Sequence, residues 1–416
     1  MTKALGKTAW IKAEATQAVL KALTAAGGPD CVRFVGGCVR NALIGRPIDD
    51  IDLATVLTPE QVVRALDQAG LKAIPTGIEH GTVTALSGGK PYEITTLRKD
   101  VETDGRHAVV AFTDNWAEDA ARRDFTMNAL YADAEGTVFD LTGRGYEDAL
   151  AGRLVFVGDP KTRIAEDYLR ILRYFRFLAW YGKGEPDTAA LAACAEGRAR
   201  LQDCSAERIA KELLKLLGAD DPRASLRLMA STGVLSQILP QSSGLASFER
   251  LVAIEDDQLF ENDPLLRLAV LLPSDPEIGD AVGRALRLSN AQRERLAAAL
   301  GTEPRLVSWM SPREARRALY ALGKTCFRDR VKLAWAQSER AATTPQWRGL
   351  IALGESWTIP SFPYSGKDVV AAGVPAGPLV GQALKEVEDW WIDSDFIEDE
   401  FSLIERLKAV VQGLAY

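Results

Sequence analysis

Histidine is almost missing from this sequence: among 416 residues only His80 and His107 occur, far apart along the chain. That excludes a histidine-built, metal-dependent phosphohydrolase and leaves a Ser-His-Asp relay only two isolated loop positions to rest on. Cysteine is scarce and badly spaced. Cys31, Cys38, Cys194, Cys204 and Cys326 are odd in number and form no Cys-x-x-Cys pair, which argues against a disulfide framework and a zinc site and for buried thiols. No stretch approaches the roughly 20 apolar residues of a membrane span. The opening "MTKALGKTAWIKAEATQAVLKALTAAGG" spreads Lys and Glu through its apolar positions, the pattern of an amphipathic helix rather than of a signal peptide. A cytoplasmic protein with no membrane partner is expected. The net charge of −7 also denies the chain the overall basic signature of a nucleic-acid binder. Any catalysis falls to carboxylates, arginines and a hard cation such as Mg²⁺.

What is present is a long globular chain, 47% hydrophobic and 26% charged, of a length that suggests two to four domains. Up to about residue 155, β-rich runs ("CVRFVGG", "IDLATVL", "TVTALS", "YEITTLR", "NALYADAEGTVFDLTG") alternate with helical segments such as "TPEQVVRALDQAG", where Thr58 and Pro59 make a helix start. Beyond "VGDPKTRI" strand signals nearly vanish and amphipathic helices follow one another between Gly, Pro and Asp breaks. The fold expected is therefore α+β, a small mixed sheet in the head followed by an all-helical remainder. Charge is uneven: Arg305, Arg313, Arg316, Arg317, Lys324, Arg328, Arg330 and Lys332 crowd one region, while Glu386 to Glu405 is strongly acidic. The basic cluster reads equally as a face for a nucleic-acid backbone or as a solvated helix surface.

The stretch "RPIDDIDLAT" carries the chemistry. On a strand Asp50 and Asp52 share one face. Like charges held that close are costly unless a shared proton or bound cations neutralise them. A third carboxylate is expected from a neighbouring strand, and Glu93 in "YEITTLR" is the candidate, because Glu is otherwise unfavoured in such a run. An Asp-x-Asp pair alone is weak, since some phosphatases and glycosyltransferases carry one. Upstream, "FVGGCVRNALIG" ends a short strand at Gly36-Gly37 and starts a helix near Cys38. Adjacent glycines let backbone N–H groups approach an anion, the helix N-terminus adds its dipole, and Arg40 can donate to a phosphate. Gly-Gly is also the signature of a mere tight turn. A triphosphate cradle beside a two-metal carboxylate pair describes nucleotidyl transfer.

"VGGCVRNALIGRPIDDIDLAT", "ARRDFTMNAL" and "EDYLRILRYFRF" resemble, in order, the signature motifs of the class II tRNA nucleotidyltransferases and bacterial poly(A) polymerases, within the DNA polymerase β-like superfamily. "DAEGTVFDLTGRGYEDALAGRLVFVGDP" and "SAERIAKELLKLL" are similar to the connecting and neck motifs that follow. The resemblance implies a polymerase β-like catalytic head over residues 1–155, a helical neck with base-selecting and RNA-binding motifs over 156–220, a body over 221–340 and a tRNA-binding tail over 341–416. It implies template-independent addition of the 3′-terminal CCA to tRNA from CTP and ATP, with tRNA as partner and no DNA. A poly(A) polymerase or an A-adding tRNA nucleotidyltransferase would share the head motifs.

Carried over by position, the family pattern puts metals on Asp50 and Asp52 and the triphosphate on Gly37 and Arg40; Glu93, from the strand argument, is the candidate third catalytic carboxylate, and Gly36 shares the nucleotide-binding turn. Arg123 and Asp124 then contact the nucleotide, Asp124 by accepting from a ribose hydroxyl. Glu166, Arg170 and Arg173 are expected on one helix face with Asp167 at its edge. Cytosine and adenine both offer an exocyclic amine beside a ring-nitrogen acceptor, so an Asp167 acceptor with an Arg170 donor would admit both and reject uracil and guanine. Arg173 and Arg176 extend the positive wall toward phosphates. Read without the resemblance, these residues make ordinary surface ion pairs, and Arg123–Asp124 a helix-to-strand tie. "KDVETDGRHAVVAFTDNWAED" resembles the family's flexible loop, centred on Asp104, Gly105 and Arg106, and leans toward complete CCA addition. Gly373, Gly377 and Gly381 suit either a backbone cradle for RNA phosphate or close helix packing. Asn41 stands where many members carry Asp, and its amide oxygen can still accept from Arg40.

Overall fold

The computed structural model describes residues 3–6, 8–78, 81–104, 107–338, 343–396 and 399–414, arranged as two compact units, Met1–Pro240 and Gln241–Tyr416. In the first unit the expected N-terminal helix is two, α1 (Ala9–Lys12) and α2 (Glu14–Gly27), parted at Ala13, whose ψ of 137° is extended. There follow β1 (Val32–Val35), α3 (Gly37–Ile44), β2 (Ile51–Thr55), α4 (Pro59–Gln68), β3 (Lys72–Gly77), β4 (Thr82–Ser87) and β5 (Lys90–Thr96). Then come β6 (Arg98–Asp104), β7 (His107–Phe112), α5 (Trp116–Ala121), β8 (Leu130–Ala132), β9 (Val138–Asp140) and α6 (Gly145–Ala151). Thr58 caps α4 in a reciprocal box with Gln61, with Pro59 in the first turn, as its sequence dictates.

Seven strands form one mixed sheet in the order β3-β4-β5-β2-β1-β8-β9. β2 and β5 run parallel, while β1 pairs antiparallel with both β2 and β8. This parallel register sets Asp52 directly beside Glu93, so both carboxylates project from the same sheet face. On that face Ala54, two residues on, packs with Val35, Leu97, Ala120, Ala129 and Tyr131. β3 escaped the sequence reading because Pro75 breaks its pattern; as an edge strand it tolerates a residue with no N–H to donate. The segment resembling a flexible loop is a β6–β7 hairpin closed by the Asp104–His107 pair. Gly105 and Arg106 at its tip lie outside the described residues, as does His80.

The first unit continues with α7 (Pro160–Glu166), α8 (Leu169–Tyr181), α9 (Thr188–Gly197), α10 (Ala206–Leu217), α11 (Arg223–Ser231) and α12 (Val234–Ile238). An aromatic cluster fastens α8 to the head: the ring of Phe125 lies 4.9 Å from Phe156 and 5.3 Å from Phe177, and Phe156 lies 5.6 Å from Tyr174.

The described part of the second unit is helical, with no strand, from α13 (Leu245–Asp257) through α14 (Pro264–Val270), α15 (Pro276–Ala285), α16 (Asn290–Ala299), α17 (Pro312–Gln337), α18 (Thr344–Ser356), α19 (Gly366–Ala371) and α20 (Pro378–Asp393) to α21 (Glu400–Leu414). α17 is interrupted at Gly323, whose φ of 73° is not helical. The basic cluster is not a free cationic face. Arg316 pairs with Asp395, Arg317 with Asp393, Arg330 donates to the Glu303 and Pro304 carbonyls, and Lys332 is buried over Phe260. Two of the eight, Arg316 and Arg317, are thus spent on carboxylates of the acidic stretch. Of the three C-terminal glycines, a Cβ on Gly377 or Gly381 would meet nothing within 4 Å, whereas one on Gly373 would reach Val411 Cγ1 at 4.0 Å, so close packing is seen at Gly373 alone.

Candidate active site

The turn from β1 into α3 is built by Gly36, whose φ of 70° and ψ of −121° suit glycine and few other residues. Its N–H bonds to the Leu130 carbonyl at 3.1 Å, pinning the turn to β8. α3 therefore begins at Gly37, and its first-turn N–H groups, which have no intrahelical acceptor, open onto the turn. Cys38 Sγ donates to the Asp52 carbonyl at 3.6 Å, so this helix start and the carboxylate strand are fixed together.

Asp50 precedes β2 and is exposed; Asp52 lies within the strand and is half-buried; Glu93 is exposed beside it. Burial first, and then the Glu93 and Asp50 charges, push the Asp52 carboxyl up to about 6, with Arg123 opposing. A cation would relieve that crowding of like charges, and an all-oxygen donor set suits a hard one. Asp50 and Asp52 fit a divalent metal on this ground. Among the described residues no group of three His, Cys, Asp or Glu is gathered tightly enough to hold one ion, so Glu93 stands as a neighbour of the pair rather than a ligand in place.

Arg40 is buried and braced. Its Nε and Nη2 donate to Asn41 Oδ1 at 3.2 and 2.9 Å, Nη2 to Tyr181 Oη at 2.8 Å, and Nη1 to Asn128 Oδ1. Four of its five N–H groups are thereby engaged within the chain. Asn41 does supply the acceptor oxygen expected of it, and its Nδ2 also donates to the Pro47 carbonyl at 2.8 Å, in the loop that leads to Asp50.

Arg123 and Asp124 do not pair with each other. Arg123 donates to Asp119 Oδ2 from Nη2 at 2.9 Å and to Tyr131 Oη from Nε at 3.1 Å. Asp124 accepts from Phe125 N at 2.8 Å, Asn128 Nδ2 at 3.1 Å and Arg173 Nε at 2.9 Å, with a second bond from Arg173 Nη2. Burial alone would raise the Asp124 carboxyl, but Arg173 and these hydrogen bonds hold it down to about 2. Four donors fill its acceptor positions, so a ribose hydroxyl would have to displace one. Arg173 also lies 3.9 Å from Glu212, which accepts from Arg176 at 2.5 Å. A continuous polar chain thus runs Asn41–Arg40–Asn128–Asp124–Arg173–Glu212–Arg176, from the glycine turn to the neck.

The expectation of one helix carrying Glu166, Arg170 and Arg173 is corrected. α7 ends at Glu166, Asp167 is extended with φ −154° and ψ 104°, and α8 starts afresh at Leu169. The break lies at Asp167, whose Oδ1 accepts from Leu169 N at 3.1 Å, a local side-chain bond that competes with continuing the helix. Periodicity hid the break because Glu166 and Arg170 still meet across it as an ion pair. Asp167 Oδ2 is held by Arg208 at 2.7 Å, and Arg170 donates to the Arg163 and Arg122 carbonyls at 2.7 and 3.2 Å. Asp119, Asn128, Tyr181 and Glu212 escaped the sequence reading. Asn128 and Glu212 lie inside quoted motifs, and Asp119 stands four before Arg123, a helical pairing distance; Tyr181 has no local signal.

Residues 32–155 match the family model described as poly A polymerase head domain, and residues 185–245 match one described as probable RNA and SrmB- binding site of polymerase A. The chain is 34% identical to the mitochondrial CCA tRNA nucleotidyltransferase 1 of Mus musculus over 91% of its own length and 86% of that protein. The chain belongs to the tRNA nucleotidyltransferase and poly(A) polymerase family. Another relative in this family, the CCA-adding enzyme of Streptococcus gordonii, is 34% identical over 92% of this chain and 93% of its own. The crystal structure of the Bacillus stearothermophilus CCA-adding enzyme in complex with CTP superposes with a TM-score of 0.75 and 28% identity, covering 96% of this chain and 99% of that one.

Proposed function

We propose that this protein adds the 3′-terminal CCA to tRNA, without a nucleic-acid template, from CTP and ATP, releasing pyrophosphate. The observation that carries the reading is the juxtaposition of the Gly36–Gly37 turn with the Asp50–Asp52 pair, Cys38 bonding the one to the other, in a chain whose relatives over nine-tenths of its length are named for CCA addition. The catalytic head is residues 1–155, the neck 156–220, the body 221–340 and the tRNA-binding tail 341–416. All five cysteines are free, which supports a reducing compartment, and we take it to be the cytoplasm.

The N–H groups of the turn and of the first turn of α3 hold the triphosphate, and Arg123 adds positive charge beside them. Arg40 acts from beneath, bracing the turn against Tyr181. Asp50 and Asp52 hold Mg²⁺, with Glu93 adding negative charge next to Asp52. When bound there, the metal supplies Lewis acidity to the attacking hydroxyl and to the phosphate oxygens. Asp124 with Arg173 and Arg176 ties the sugar end of the site to the neck. Asp167 keeps two acceptor positions beyond Leu169 and Arg208, and with Arg170 it reads the amine and ring nitrogen shared by cytosine and adenine.

The reading is tested by incubating the purified protein with Mg²⁺ and tRNA transcripts ending before CCA, after C and after CC, with CTP, ATP or both, and resolving products to the nucleotide. CCA addition that then stops is the expected result. Addition of A alone to the CC-ended transcript would make it an A-adding enzyme, and a long A ladder would make it a poly(A) polymerase.

A further inference from the structure

Asp119 is almost fully enclosed, 1% exposed, yet it receives five donors from three directions. Oδ2 accepts from Arg123 Nε at 3.2 Å, Arg123 Nη2 at 2.9 Å and Tyr131 Oη at 2.7 Å. Oδ1 accepts from Arg122 Nε at 2.9 Å and, at 3.4 Å, from the backbone N–H of Arg98, where the β6–β7 hairpin leaves the sheet. Burial would raise this carboxyl, but Arg123, Arg122 and Tyr131 hold it down to about 2. It is a fixed anion at the hub of α5, β8 and the hairpin root.

The geometry of Arg123 gives that hub a purpose. A guanidinium is a rigid fork, and once its Nε–Nη2 edge is committed its other end is aimed. Here that edge is taken by Asp119 and Tyr131, and Nη1 stands 3.8 Å from where a Cβ on Gly36 would lie. Among the described residues Nη1 has no acceptor of its own. One carboxylate also faces two guanidiniums, so the group keeps a net positive charge beside the glycine turn. The same charge is felt at Asp52, whose carboxyl Arg123 draws down against the push of its neighbours.

We infer that Asp119 is a positioning residue for nucleotidyl transfer: by gripping one edge of Arg123 it aims Nη1 at an anion lying in the Gly36–Gly37 turn, the nucleoside triphosphate of the proposed reaction. This rests on the functional reading above. Asp119 touches no reactant; its effect passes through Arg123. A carboxylate that merely held α5 to β8 would affect folding and leave the affinity for triphosphate alone.

The test is a double-mutant cycle in the full-length protein with Asp119→Asn, Arg123→Ala and the pair. Asp119→Asn keeps the shape and one acceptor but removes the charge. It should raise KM for CTP and ATP by about tenfold, the worth of one charge-assisted contact, while tRNA affinity by filter binding stays within twofold of wild type. On the Arg123→Ala background the same change should move KM by less than about twofold. A tenfold effect on both backgrounds, or no effect on either, overturns the inference. If Asp119→Asn does not fold, Tyr131→Phe, which removes one donor to Asp119 and one acceptor from Arg123, goes through the same cycle with the same criterion. Equilibrium binding of CTP without tRNA is measured on every variant. Should the wild type bind CTP yet transfer nothing to tRNA, the functional reading falls while the Asp119 inference is judged on CTP binding, where coupling through Arg123 is again expected.

Discussion

Replacing Asp124 by Asn exposes how tightly the head is tied to the neck. The carboxylate is 8% exposed and takes a paired hydrogen bond from Arg173, with Asn128 and the Phe125 N–H completing its shell. Asn keeps the volume and one acceptor but leaves Arg173 with Glu212 at 3.9 Å as its remaining partner in that pair. Holding a carboxyl from its ordinary 3.8 down to about 2 corresponds to about 2 kcal/mol of folding stability at neutral pH. For a unit ending at Pro240 that is a fall in Tm of about 4–8 °C. The pH dependence has a definite sign. Because the folded carboxyl is the stronger acid, its contribution is complete above the unfolded value and is lost as pH falls toward the folded one, so roughly half remains at pH 3. Scanning calorimetry of wild type and Asp124→Asn from pH 7 down to pH 3 should therefore show a gap that narrows with acidity. A gap below about 1 °C at pH 7, or one that is the same at every pH, would refute the assignment.

Gly36→Ala should destabilise the head by about 1–3 kcal/mol, because alanine is strained at that φ, whereas Gly37→Ala, whose Cβ would meet only Arg40 Nη2 at 3.8 Å, should fold like wild type; equal thermal stabilities would contradict the turn as described. Tyr181→Phe removes the acceptor for Arg40 while keeping the ring that lies 3.9 Å from its guanidinium, and urea denaturation should show a loss of about 1–2 kcal/mol. Burial raises the thiols of Cys38, to about 12, and of Cys194. Timed thiol labelling of the folded protein at pH 8 should therefore modify Cys204 and Cys326 first and spare Cys38 until unfolding, and early modification of Cys38 would place it wrongly.

Much of the head was legible because its signals are local. β-rich alternation located β1, β2 and β5, Thr58-Pro59 announced α4, and Gly36-Gly37 marked the turn. Pairing Glu93 with Asp52 needed only the expectation of a neighbouring strand, and the β2–β5 register supplies it. What stayed hidden is long-range or double-valued. Asp167 ends one helix and accepts from the first N–H of the next, yet its spacing is helical throughout. The partners of Arg316 and Arg317 lie more than seventy residues away, at Asp395 and Asp393, so sequence displayed both charges without their pairing. Arg40 read simply as a phosphate donor because nothing nearby foretold Tyr181 or Asn128 closing over it. The same limit hid Asp124's engagement with Arg173, since sequence names a residue's chemistry but not the donors that reach it.

The central claim is that the carboxylates beside the glycine turn carry out nucleotidyl transfer to RNA. Its most direct test is a single-turnover incubation with CTP labelled at the α-phosphate and a tRNA transcript ending before CCA, comparing wild type with Asp52→Asn. Label should enter the tRNA with wild type, one pyrophosphate appearing for each nucleotide joined, and should not enter with Asp52→Asn although its Tm is unchanged. Transfer by Asp52→Asn at the wild-type rate, or release of inorganic phosphate in place of pyrophosphate, would contradict the account.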